Sequence, residues 1–273
     1  MNNTIIKTYN SYHLGDNLFN IIFLNNISKY LEKNNIKIHY YLHSYYKDQV
    51  KEFIQTSNII LKDYDVNNES KMGLHLWIDA PIYTTKYRFT ELGIGKNIPY
   101  NSFFIIFFNN ILKIWKFPIL ISSIVYDDND LITRYNNIND RCNNKYKNID
   151  LLIINSIPLS GQFKYNNEEW INFTEYFKDY NVVTTNGIKN IKCTLDDNLT
   201  VKDIAAISTQ CKVVVFVNSG VAPGLFNIYT LTNVKSFYCL DNRTYYSFPN
   251  FPKFKNYKSL NEISLTEVES FLV

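Results

Sequence analysis

At 273 residues the chain exceeds the about 100–200 residues of a typical domain, so one large domain or two half-sized ones are expected. Its 46% hydrophobic and 19% charged residues exclude a disordered chain. A net charge of +3 with no dense Lys/Arg stripe excludes a polyanion footprint, and no nucleic-acid partner is expected. Asn, Ile, Tyr and Lys dominate, as an AT-rich genome encodes, so single Asn and Tyr residues are discounted as site markers.

The N-terminus lacks the charged and apolar regions of a signal peptide, and a cytoplasmic location is expected. Residues 4–9 read as a buried strand and 10–15 as a polar loop. Residues 16–32 read as a helix with Leu18, Ile21, Ile22, Asn25, Ile27 and Leu31 at roughly helical spacing. Strands are predicted at 36–42, 58–61 and 73–79, and helices at 45–56 and 101–115, the alternation of stacked βαβ units. Residues 103–121 hold the runs FFIIFF and FPILIS, but Asn109, Asn110, Lys113, Lys116 and Pro118 interrupt them, so no membrane span is expected. A buried helix followed by a strand is the main reading. Phe103, Phe104, Phe107, Phe108, Trp115 and Phe117 beside Lys113 and Lys116 leave a peripheral membrane contact as the lesser one.

Between 127 and 148 the chain turns polar and unpatterned and reads as a linker. Residues 150–155 (DLLIIN) are then a continuous apolar strand of the kind buried in a parallel sheet. A helix at 168–178 and a strand at 181–185 follow. Thr200 and Asp203 read as a cap before a helix at 204–209, residues 212–218 as a strand, and Ser264 and Glu267 as a cap for a terminal helix through Phe271. Cys142, Cys193, Cys211 and Cys239 form no C-x-x-C pair, so neither a zinc knuckle nor a redox motif is expected.

Three segments carry candidate chemistry, each at the C-terminal end of a predicted parallel strand, where open α/β sheets bind ligands. In the first loop, Gly15 lets backbone approach a ligand. Asp16 starts a helix beside Asn17, and His13 stands three residues before it; a routine cap and a turn histidine are the bland alternatives. The loop 156–164 offers Ser156, Ser160 and Gly161 as small residues and Lys164 as a cation able to offset a diphosphate, against the default of a solvated lysine. In 218–224, Asn218, Ser219, Gly220 and Val221 follow an apolar strand and offer backbone amides to phosphate oxygens, or form a tight turn.

Taken in order, these segments resemble the glycosyltransferase superfamily with two Rossmann-like domains, and within it the lipopolysaccharide heptosyltransferase group. That group's first-loop G-D pair is matched by Gly15-Asp16, its small-residue loop and lysine by 155–164, and its D-[ST]-G-x-x-H loop by 218–223. The resemblance implies an α/β chain of the GT-B type, two Rossmann-like domains facing across a cleft. The expected divisions are an acceptor-side domain at 1–130, a nucleotide-sugar domain at 148–260 and a terminal helix at 261–273. It implies inverting, metal-independent transfer of a sugar from a nucleotide-diphosphate sugar to a glycan, lipid-linked or protein acceptor, with no further cofactor. Carried over, Asp16 is the base, with His13 beside it, and Lys164, Ser156, Asn218, Ser219, Gly220 and Val221 hold the donor. Asn218 replaces the group's acid and Pro223 its histidine, and 186–189 lack an acid for the donor ribose. A sugar-nucleotide 2-epimerase-like enzyme and a catalytically degenerate sugar-nucleotide or glycan-binding protein are the alternatives.

Overall fold

The computed structural model describes residues 4–77, 100–159, 161–242 and 253–273. The chain divides into two compact units, Met1–Tyr126 and Asp127–Val273.

The first unit holds a four-stranded parallel sheet. Its strands are β1 (Thr4–Asn10), β2 (Ile36–Leu42), β3 (Ile59–Asp63) and β4 (Leu74–His75), in the order β3-β2-β1-β4. β1 is thus the strand from which the chain first builds to one side and then returns to the other. The helix expected at 16–32 is two, α1 (Leu14–Asn26) and α2 (Ser28–Lys33), because Ile27 leaves helical geometry at φ −104°, ψ 5°. α3 (Ser44–Lys51) follows β2 and is shorter than its predicted span. Only 74 and 75 of the predicted strand 73–79 are strand, and 78 and 79 lie outside the described residues. Gly73, at φ +84°, leads into β4, and a Cβ there would lie 2.0 Å from the Lys7 carbonyl oxygen, so only glycine lets β4 enter beside β1.

The apolar run after residue 100 is core. In α4 (Tyr100–Ile114), Phe104 stacks on Phe19 and Phe108 on Phe23, with ring centroids 4.2 and 4.3 Å apart. Offset ring pairs of this kind add about 0.5–1.5 kcal/mol each beyond burial. The side chain of Phe103 lies outside the described residues. The strand expected after this helix is absent. Asn109 instead pins Ile121, accepting its amide at 2.8 Å and donating to its carbonyl at 3.0 Å. No helix among the described residues is long and apolar enough to cross a membrane.

The second unit holds a six-stranded parallel sheet. Its strands are β5 (Leu151–Ile154), β6 (Val182–Thr184), β7 (Lys192–Cys193), β8 (Val213–Val217), β9 (Ser236–Leu240) and β10 (Phe254–Tyr257). Their order, β7-β6-β5-β8-β9-β10, is that of the doubly wound nucleotide-binding fold. β5, β8 and β9 are buried along their full length, as a parallel sheet covered on both faces requires. Trp170, Phe173 and Phe177 on and just beyond α6 (Asn167–Tyr176) close one face over Leu151, Val213 and Tyr238.

The stretch 127–148 is not an unpatterned linker: it carries α5 (Asp130–Arg141). The helix is amphipathic: Leu131 and Ile138 bury its apolar stripe, and ion pairs fasten its polar side. Arg134 and Arg141 both reach Asp203 on α7 (Val201–Ser208), which packs beneath it. Asp203 also completes the capping box with Thr200 that the sequence predicts. Ser264 likewise caps α9 (Leu265–Ser270), accepting from the Glu267 amide at 3.3 Å. No disulfide joins the four cysteines.

Candidate functional site

In a 3-2-1-4-5-6 sheet the crevice for a ligand opens beyond the carboxyl ends of the strands where the order reverses. In the second unit those strands are β5 and β8, and the predicted donor residues lie just beyond them.

Asn155, fully buried after β5, accepts from the amides of Thr185 and Asn186 at 3.1 and 2.7 Å. It thereby ties the end of β5 to that of β6. Ser156 follows, half-buried, its hydroxyl 3.4 Å from that of Thr185. Ser160 lies outside the described residues. Gly161 and Gln162 are anchored to the far side of the sheet: Asn242 donates its amide to the Gln162 carbonyl at 2.7 Å and its side chain to that of Gly161 at 3.2 Å. Phe163 enters the core, and Lys164 emerges exposed just beyond that anchor.

After β8, Asn218 is buried and donates to Asp241 Oδ2 at 2.7 Å, while its carbonyl accepts from Gln162 Nε2 at 2.7 Å. Asn218 thus ties the end of β8 to Gln162, after β5, and to Asp241, after β9, at the reversal point. Ser219 is 9% exposed, and its hydroxyl has no hydrogen-bond partner; Gln162, 8% exposed, likewise leaves Oε1 without one. The Asn218 carbonyl fixes the orientation of the Gln162 amide, because a flipped amide would set two acceptors against each other. Among the described residues the amides of Ser219, Gly220 and Val221 donate to no carbonyl. A buried, unsatisfied polar group costs about 1–3 kcal/mol. Trp170 Nε1 in the core of the same unit is likewise unpaired, so burial alone marks no site; Ser219 and Gln162 stand out because they lie beside the three amides at the reversal point. Pro223 is buried in the turn that follows and offers no side-chain donor.

Gln162 and Asp241 are site residues the sequence did not single out. Asp241 does carry a signal, being an acid directly after the apolar run 236–240. Gln162 carries none, since its role depends on a contact 56 residues away.

In the first unit the reversal lies between β1 and β4, and the predicted first loop stands there. Asn10 shapes it, donating to the Leu76 carbonyl at 2.6 Å and accepting the Tyr12 amide at 2.8 Å. Asn17 is fully buried, and its side chain is committed to structure: it donates to the carbonyls of Tyr12 and His13 and accepts from the Tyr40 hydroxyl. Burial and the Asp16 charge, partly offset by a hydrogen bond from Asn20, push the Tyr40 hydroxyl far above its ordinary range, so it stays a donor. His13 is exposed at the N-cap position, and Gly15 and Asp16 are half-buried in the first turn of α1. Free amides there favour a negative charge. No group of three or more His, Cys, Asp or Glu residues among those described is placed to hold a metal ion.

No family model and no curated protein matches the chain. Solved structures do. A family 9 glycosyl transferase from Veillonella parvula aligns over 99% of this chain and 98% of its own, with a TM-score of 0.58 at 13% identity. The E. coli ADP-heptose heptosyltransferase II aligns over 98% of each chain, with a TM-score of 0.58 at 9% identity. The chain has the GT-B glycosyltransferase fold. The E. coli heptosyltransferase WaaC, solved with ADP, agrees at a TM-score of 0.52 over 98% of this chain and 97% of its own, at 8% identity. This is the two-domain fold that the order of the sequence segments implies, held with almost no shared sequence.

Proposed function

We propose that the chain is a glycosyltransferase that moves a sugar from a nucleotide-diphosphate sugar to a hydroxyl acceptor, with inversion and without a metal ion. The observation that carries this reading is the reversal point of the second sheet, with its two buried unsatisfied side chains and three open amides, in a chain of the GT-B fold. WaaC, a bearer of that fold, has been solved with ADP and with a fluorinated ADP-heptose. The second unit holds the donor: Ser219 and Gln162 bind it, the amides of Ser219 to Val221 meet phosphate oxygens, and Lys164 offsets the charge of the departing diphosphate. The first unit holds the acceptor. Asp16 takes the proton of the acceptor hydroxyl as its oxygen bonds to the anomeric carbon, and the bond from that carbon to the diphosphate breaks with its electron pair leaving on the phosphate oxygen.

Thermal-shift titration with nucleoside diphosphates and their sugar conjugates tests the donor site. Binding to the native state raises stability by about 2.7 kcal/mol at a hundredfold excess over Kd. One nucleotide family is expected to raise the melting temperature, and Ser219→Val, which fills the crevice with methyls, is expected to abolish the shift. A shift unchanged in Ser219→Val would place the nucleotide elsewhere. The degenerate-binder reading rests on Asn218 and Pro223 standing where the group has an acid and a histidine, and binding without turnover of any acceptor would favour it.

A further inference from the structure

The end of α4 leaves a surface of the first unit that the reading above does not use. The helix closes there in a fixed turn. The Phe117 amide donates to the Leu112 carbonyl at 2.9 Å and the Lys116 amide to that of Lys113 at 3.0 Å, the paired bonds of a Schellman cap. Lys116 sits at the left-handed position of that cap, at φ +59°. Glycine or asparagine usually fills such a place. Every other non-glycine residue in left-handed backbone among those described is an asparagine, so a lysine here gives up turn stability for a charge.

Beyond the turn, the clamp of Asn109 on Ile121 closes the segment, and Asn26 donates to the Ser123 carbonyl at 3.2 Å. Residues 118–120 are therefore a short loop fixed at both ends, and its backbone holds Leu120, 73% exposed, out in water. Pro118 beside it is exposed, and Trp115, Phe117 and Ile119 are half-buried. Trp115 packs inward on Phe23 at 6.0 Å, and Phe117 packs on Tyr30 at 4.7 Å, which brings α2 alongside. Lys29 and Lys33 flank Tyr30 on α2, as Lys113 and Lys116 flank Trp115. All four are exposed, and none makes an ion pair among the described residues. Glu32, the acid between the two lysines of α2, accepts the Thr56 hydroxyl at 3.0 Å.

We propose that residues 113–120, with the lysines of α2, seat the first unit on the surface of an anionic lipid bilayer. Leu120 enters the headgroup boundary, Trp115 and Phe117 lie at headgroup depth, and the four lysines meet lipid phosphates, the division of roles that interfacial segments show. Charge complementarity selects this occupant: an apolar tip alone would suit many partners, but four lysines free of acids call for a negative surface. The inference stands apart from the transferase reading. It also moves the peripheral contact that the sequence allows, since Phe104, Phe107 and Phe108 are core and take no part in it.

Flotation of the full chain with phosphatidylcholine vesicles, with and without phosphatidylglycerol, tests this. Binding is expected to the anionic vesicles only, fading between about 0.1 M and 1 M salt as the Debye length contracts from about 10 Å to 3 Å. Lys113→Gln combined with Lys116→Asn is expected to weaken binding about 25-fold, each lysine near an anionic surface contributing about fivefold. Leu120→Asp is expected to weaken it by about tenfold or more. Asparagine suits the left-handed turn, so Lys116→Asn should melt no lower than wild type, which separates lost binding from lost fold. Nucleotide-induced thermal shifts are expected to be unchanged in all these variants. No binding to anionic vesicles, equal binding to neutral ones, or binding unchanged in Leu120→Asp and in the lysine variant would overturn the proposal. So would a wild-type dimer in sedimentation velocity that Leu120→Asp dissociates, which would assign the surface to a second copy of the chain.

Discussion

Asp16→Asn is expected to lower the rate of glycosyl transfer by about 10²–10⁴-fold, the range a positioned general base contributes. The substitution suits this position. Asn is nearly isosteric with Asp, and it is itself favoured near helix N-termini, so α1 and the packing of Asn17 and Asn20 beneath it are expected to persist. What disappears is the negative charge and its capacity to take a proton. Because the nucleotide is assigned to the second unit, the thermal shift it induces is expected to be unchanged in the variant, separating a lost base from a lost donor site. Transfer by Asp16→Asn at the wild-type rate would remove Asp16 from the chemistry and turn attention to His13, exposed one turn earlier, as the other candidate base of that loop.

The largest effect on stability is expected at Asp203. Its side chain is 4% exposed and accepts from Arg134 Nε at 2.6 Å, Arg141 Nη2 at 3.1 Å and the Thr200 amide at 2.9 Å. Burial alone would raise its pKa, but the Thr200 amide and the two guanidinium groups outweigh it and hold the carboxyl below its usual range. One carboxylate thus caps α7 and fastens α5 to it. Asp203→Ala removes the carboxylate that Arg134 and Arg141 share and the reciprocal half of the capping box, while Arg134 keeps its hydrogen bond to Thr200 Oγ1; loss of charge-assisted hydrogen bonds of this kind together with part of a cap costs about 2–4 kcal/mol. For a unit of this size that lowers the melting temperature by roughly 10 °C. The pH dependence has a definite sign. A carboxyl whose folded pKa lies below its unfolded value contributes stability at pH above about 4, and that contribution is lost as pH falls through the folded value. Calorimetry should show the second unit of Asp203→Ala destabilised at pH 7, with the gap to wild type closing in acid. A melting temperature within a degree of wild type would mean that α5 is held by its apolar face alone.

Much of the fold is legible in runs of residue type. The continuous apolar runs 150–155 and 212–218 are the two central strands of the second sheet, and their polar C-terminal neighbours stand at its reversal point. The run SFYCL at 236–240 has the same character, and reading it as a strand would have completed the sheet toward β10. α5 escapes such a reading although Leu131, Tyr135 and Ile138 recur at helical spacing, because the Asn and Asp residues between them read as a loop. The candidate site divides the same way. Asp16, Lys164 and Ser219 follow from the ends of strands, whereas Gln162 becomes a site residue only when the fold brings it to Asn218.

The measurement that bears most directly on the central claim is a mass-spectrometric transfer assay. The full chain is incubated with the nucleotide sugars that shift its melting temperature and with a panel of glycan acceptors, with chelator present. A glycosylated acceptor and free nucleoside diphosphate in equal amounts, formed by the wild type and lost in Asp16→Asn, is the predicted result. A new sugar isomer formed from donor alone, or a donor that binds and survives intact with every acceptor, would contradict it.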